Sequence, residues 1–165
     1  MIVSYLKYIA IIILAVLLQK TFIWLISISR YNITPDLVIL AVIYGGLRKG
    51  HIGGAILGFI AGVSVDILSG GFLGLSALSY TITGFIAGYF FTEDDDDEKR
   101  SILTGMVFLC VFAGLSIYYF IYYQVPGSIM LDVFIKYVLP TTTYTTIIGF
   151  IFILFLKSKR RSAYA

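Results

Sequence analysis

Residues 54–76 read GAILGFIAGVSVDILSGGFLGLS. The stretch is almost wholly apolar, yet it is rich in glycine and holds one carboxylate, Asp66. Gly54, Gly58, Gly62 and Asp66 fall four apart, so on a helix they share one face. A face of small residues lets a second helix approach closely. The next segment offers a matching row of Ser76, Tyr80, Gly84 and Gly88. Twelve of the sixteen glycines lie between Gly45 and Gly88. The pattern predicts a close-packed core of helices, with Asp66 pointing into protein and not into lipid.

The whole chain supports an apolar solvent. It has 165 residues, 59% hydrophobic and 13% charged, with a mean hydropathy of +0.97. A soluble domain of this length cannot hide so much apolar surface. The fold class expected is an all-α integral membrane protein, because a spanning segment must satisfy its own backbone. Six spans are expected, at about 5–27, 35–47, 52–68, 75–91, 101–123 and 132–156, forming one domain over residues 1–165. The first apolar stretch is longer than a signal-peptide core and lacks a cleavage site, so it reads as a span. Residues 92–100 read as an acidic cytoplasmic loop and 157–165 as a basic cytoplasmic tail.

Lysine and arginine set the orientation. With both termini in the cytoplasm, nine basic residues are inside: Lys7, Arg48, Lys49, Lys99, Arg100, Lys157, Lys159, Arg160 and Arg161. Three, Lys20, Arg30 and Lys136, are outside. The net charge of +3 therefore reflects topology and does not point to nucleic acid. Cys110 is the single cysteine and reads as a small packed hydrophobe.

Several local signals sit on this frame. Thr34, Pro35 and Asp36 read as N-cap, N1 and N2 of the second helix. That helix, about 20 Å long at 1.5 Å per residue, is short for a core of about 30 Å, a feature of folds that enclose a cavity. Pro140 should kink the sixth helix, and Thr141–Thr146 read as part of that kink in preference to a ligand site. Tyr118, Tyr119, Tyr122 and Tyr123 read as an interfacial belt in preference to a binding surface. Asp132 and Lys136 are an i,i+4 pair able to satisfy each other.

An acid at membrane depth needs a partner. Lys20 and Asp66 lie about 20 and 25 Å from the cytoplasmic side along their helices, so a shared polar cluster is expected. The alternative is that Asp66 only caps the loop Ser69-Gly70-Gly71. The six acids Glu93–Glu98 read as a solvated loop, or as a docking site for a basic partner. His51 is the only histidine. No metal cluster, paired intramembrane acids, P-loop or dinucleotide fingerprint is present, so no enzyme, metal site or cofactor is expected.

Residues 34–91 carry a longer ordered string. PDLVILAVIYGG at Pro35–Gly46 precedes a Leu47-Arg48-Lys49-Gly50 turn, a glycine-rich helix and the Asp66-Ile67-Leu68-Ser69-Gly70 loop. In this order the segment resembles the rod shape-determining protein MreD family, with Pro35, Asp36, Gly46, Arg48, Gly50, Gly58, Gly62, Asp66, Ser69, Gly70 and Gly74 at the family's positions. The resemblance implies a non-enzymatic scaffold or regulator of the cell-elongation (rod) complex in the bacterial inner membrane. It implies MreC as a direct partner, with the RodA glycosyltransferase, a class B penicillin-binding transpeptidase and, indirectly, MreB beyond it, in support of peptidoglycan synthesis. It also implies a likeness to the S-component fold of energy-coupling-factor transporters, so a vitamin-type substrate-binding subunit is the alternative function. Membrane lipid and a second copy of the chain are further expected partners, and nucleic acid is not. Candidate structural or partner residues are Lys20, Pro35, Asp36, Arg48, Gly54, Gly58, Gly62, Asp66, Gly70, Gly74, Gly84 and Gly88.

Overall fold

The computed structural model describes residues 2–26, 34–70, 72–90, 100–123 and 130–161. Every regular element among them is helical: α1 (Ile2–Ile26), α2 (Leu37–Ser69), α3 (Leu75–Tyr89), α4 (Arg100–Tyr123), α5 (Met130–Val133) and α6 (Leu139–Arg161), with a π-helical stretch at Phe134–Val138 joining the last two. Two helices among the described residues are long and apolar enough to cross a membrane, Leu37–Ser69 and Thr104–Tyr123.

Helix α2 is not one straight rod. Gly50 breaks it, with φ 73° and ψ −178°. A side chain is strained at positive φ, so glycine suits the position. The chain turns back on itself there. A Cβ added to Gly54 would lie 2.8 Å from the Gly46 Cα, whereas eight residues along a straight helix span about 12 Å. The two arms, 37–49 and 51–69, thus pack as a hairpin, and Gly45 leaves room for Leu57. The sequence-expected second and third helices are these two arms.

Helix α3 closes against the hairpin through the two glycine rows. A Cβ on Gly54 would meet the Gly84 carbonyl, one on Gly58 the Tyr80 carbonyl, and one on Gly62 the backbone of Ala77. A Cβ on Gly88 would meet the backbone of His51. The partners run in opposite directions, so the second arm and α3 are antiparallel and in a single register. The predicted matching of the rows at 54–66 and 76–88 is what the structure contains.

Helix α1 joins the first arm at Tyr8 and Tyr44, whose rings lie 6.1 Å apart. Helix α4 covers α3, with the Ser79 hydroxyl donating to the Gly114 carbonyl at 2.7 Å. Helix α6 reaches the first arm where Gly149 faces Leu40. Ile12, Val16, Ile39, Val42, Leu57, Val111 and Val138 fill the centre.

The final segment corrects one expectation. Pro140 does not simply kink a long helix. The turn before it widens to π, and the Leu139 N–H donates to the Phe134 carbonyl, five residues back. Proline lacks an N–H and its ring crowds the carbonyl four residues earlier, and a wider turn relieves that crowding.

Candidate functional site

Asp36 is buried, and its placement corrects the capping assignment. It is itself the N-cap of α2, where N2 was expected. Its Oδ1 accepts from the backbone N–H of Val38 and of Ile39, each at 3.1 Å. Gln19 of α1 accepts from the same Val38 N–H at 3.1 Å. The Tyr80 hydroxyl donates to Asp36 Oδ2 at 2.5 Å. Asp36 also uses its own N–H, which donates to Thr145 Oγ1 at 3.1 Å. Asp36 therefore ties α2 to α3 and α6, and the neighbouring Val38 N–H adds α1.

Asp66 is also buried, and its carboxylate takes three backbone N–H groups as donors among the described residues. Oδ2 accepts from the N–H of Gly74 at 2.8 Å and of Ala77 at 3.2 Å. Oδ1 accepts from the N–H of Ser76 at 3.1 Å. These groups open α3, where free N–H groups and the positive end of the helix dipole favour an anion. The carboxylate that ends α2 thus caps the helix that follows. Of the alternative loop cap at Ser69-Gly70-Gly71, Gly71 lies outside the described residues, and the Gly70 N–H donates at 3.1 Å to the backbone carbonyl of Asp66 and not to its carboxylate. Gly70 there has φ 63°, a left-handed helix end. The expected partner Lys20 has a side chain outside the described residues, as does the acidic run Glu93–Glu98.

Asp36 and Asp66 line one cavity of about 220 Å³, which corrects the expectation that no two intramembrane acids are brought together. Gln19, Tyr80, Tyr118, Tyr119, Tyr122 and Thr141 share its wall. The tyrosine row is therefore part of this wall and not only a belt. Its rings stack four apart along α4, Tyr118 on Tyr122 at 5.8 Å and Tyr119 on Tyr123 at 6.1 Å. Tyr137 of the π stretch meets Tyr119 at 5.9 Å. The threonine run has a tertiary role too. Thr141, Thr142, Thr145 and Thr146 are buried, and Thr145 holds the Asp36 backbone.

The other sequence-predicted residues fall into two groups. Gly54, Gly58, Gly62, Gly84 and Gly88 form the α2–α3 contact, and Pro35, Gly70 and Gly74 shape the approaches to the two acids. Arg48 is remote from the cavity, its guanidinium 5.8 Å from the Tyr44 ring centroid. Asp132 and Lys136 pair at 3.4 Å on an exposed face. Among the described residues no group of three or more His, Cys, Asp or Glu could hold a metal ion. The link from Asp36 to Tyr80 and Thr145 had no signal in the sequence, because the partners lie 44 and 109 residues away.

The architecture and the sequence string meet in one comparison. The family model for rod shape-determining protein MreD matches residues 1–159. This chain belongs to the MreD family. Membership brings a role in rod shape determination, and MreD proteins are membrane proteins not known as enzymes. No curated protein and no solved structure shows significant similarity to the chain. In this MreD-family chain the two acids, the glycine seam and the tyrosine row lie on α2, α3 and α4 and the approaches to them.

Proposed function

We propose that this MreD-family chain is a non-enzymatic scaffold of the rod complex, crossing the bacterial inner membrane six times with both termini in the cytoplasm. It binds MreC directly. Through MreC it supports the RodA glycosyltransferase and a class B transpeptidase in peptidoglycan synthesis, and it reaches MreB indirectly. The observation that carries this reading is the family match over residues 1–159.

Two features of the molecule support it. The α2–α3 seam is backbone against backbone, which suits a part that must hold shape. On the opposite side of the second arm, Ile52, Ile56, Phe59 and Ile67 are all exposed. Such an apolar stripe suits lipid or a partner's spanning helix. The cavity between Asp36 and Asp66 is the one feature favouring the second reading, a substrate-binding subunit of a transporter, since solute sites are concave with a few placed polar groups.

The test is purification of the tagged protein from native membranes in mild detergent, with mass spectrometry of bound proteins and small molecules. An MreC-like protein with wall synthases is the expected recovery. An ATPase-coupled module or a bound vitamin, without wall proteins, would overturn the scaffold.

A further inference from the structure

Two neighbouring helices are short for the solvent that the composition implies. At 1.5 Å per residue the second arm of α2, 51–69, is about 28 Å long, and its exposed apolar face, from Ile52 to Leu68, about 24 Å. Helix α3 has 15 residues, about 22 Å. The hydrocarbon core of a bilayer is about 30 Å thick. Helix α4, by contrast, has 24 residues, about 36 Å, and can cross it.

The short helices present one surface, and its height is fixed. Ile56 and Phe59 are exposed on the arm, Leu78 and Phe85 on α3. His51 joins the two faces at one end, its ring stacked on Tyr89 at 5.4 Å and edge to face with Phe85 at 5.7 Å. Gly50, Gly70 and Gly74 hold φ of 73°, 63° and 98°, so the ends of the arm and the start of α3 are turns that further winding cannot extend. Backbone contacts at Gly54, Gly58 and Gly62 stop one helix sliding past the other.

Tilting shortens a helix's projection across the bilayer, so it relieves a helix that is too long and worsens one that is too short. A short segment is accommodated by thinning of the bilayer, by snorkelling side chains or by association. The arm ends on Ser69 and Gly70, whose side chains are too small to snorkel. We infer that the flank formed by the second arm and α3 seats a thinned patch of bilayer and selects lipids of short acyl chain, while α4 faces a core of ordinary thickness. The inference rests on the membrane reading but not on MreC.

Quenching of tryptophan fluorescence by brominated lipid tests it on the full chain, which has one tryptophan, Trp24. In a Trp24→Phe background, single reporters go to exposed positions, Phe59→Trp on the second arm and Leu109→Trp on α4. Ile56→Trp repeats the measurement on the same flank should Phe59→Trp lose its helicity. Each protein is reconstituted with brominated dioleoyl phosphatidylcholine, and the shorter dimyristoleoyl or the longer dierucoyl lipid competes for the reporter. On the flank the short lipid should compete about threefold better than the long one or more, with no such preference at α4. The same preference at both positions, or none at either, overturns the proposal. A flank reporter that brominated lipid does not quench, beside a quenched one on α4, shows the flank covered by protein, and this too overturns it. If neither is quenched, the membrane reading falls as well. Partner recovery from native membranes is measured separately, so loss of the chain-length preference alone leaves the scaffold reading standing.

Discussion

The α2–α3 seam and the α3–α4 contact are built from different parts. At the seam, glycines on both helices bring main chain against main chain: Gly58 faces the Tyr80 carbonyl and Gly62 the Ala77 backbone. At the α3–α4 contact, Gly114 faces the Thr83 hydroxyl and Ile39 Cδ1, which are side chains. Backbone cannot rotate away from an added atom. A side chain can, at the cost of its rotamer and its hydrogen bonds. Equal changes in volume should therefore have unequal consequences on the two sides of α3.

Gly58→Ala gives the largest effect expected, a loss of about 3 kcal/mol or more, at or beyond the upper end for overpacking. Reversible denaturation in mixed micelles measures it, and a loss below about 1 kcal/mol would break the backbone-contact account. Asp66→Ala comes next. It strips the acceptor from three N–H groups at the start of α3, and about 2 to 3 kcal/mol is expected for a buried cap. The same denaturation reads it, and Asp66→Asn should recover part of the loss because one carbonyl oxygen remains.

Tyr80→Phe removes a hydroxyl bond to a buried carboxylate and should cost about 1.5 to 3 kcal/mol at most. A double-mutant cycle with Asp36→Asn isolates the pair, and full additivity would show that the bond contributes nothing. Gly114→Ala sharpens the comparison, since Thr83 must give way, losing its bond to the Ser79 carbonyl. About 1 kcal/mol is expected, well under the Gly58→Ala value in the same assay. Gly105→Ala is the control. A Cβ there meets nothing within 4 Å, so helix propensity alone acts and the chain should gain about 0.5 to 1 kcal/mol.

The seam was legible because its information is local. Gly54, Gly58, Gly62 and Asp66 on one row and Ser76, Tyr80, Gly84 and Gly88 on the other need only the helical period to be read. The turn at Gly50 and the burial of Asp66 followed from the same stretch. The partners of Asp66 were not legible, because a carboxylate at a helix end can reach several sets of N–H groups. Only the turn geometry around Gly70 and Gly74 selects the first turn of α3. The Asp36 node was harder still, since Tyr80 and Thr145 meet it only after three helices take up their relative rotations. The π stretch before Pro140 was hidden for another reason: proline marks where a helix must yield, not how.

The two acids also differ in when they can be satisfied. The chain emerges from its N-terminus during synthesis. Asp66 has its donors 8, 10 and 11 residues later, so its cap can close as soon as α3 begins to wind. Asp36 first holds only its neighbours Val38 and Ile39, gains the Tyr80 phenol 44 residues on, and finds Thr145 for its N–H 109 residues on. The node is thus a clock as well as a joint: its last bond waits until α6 has been made.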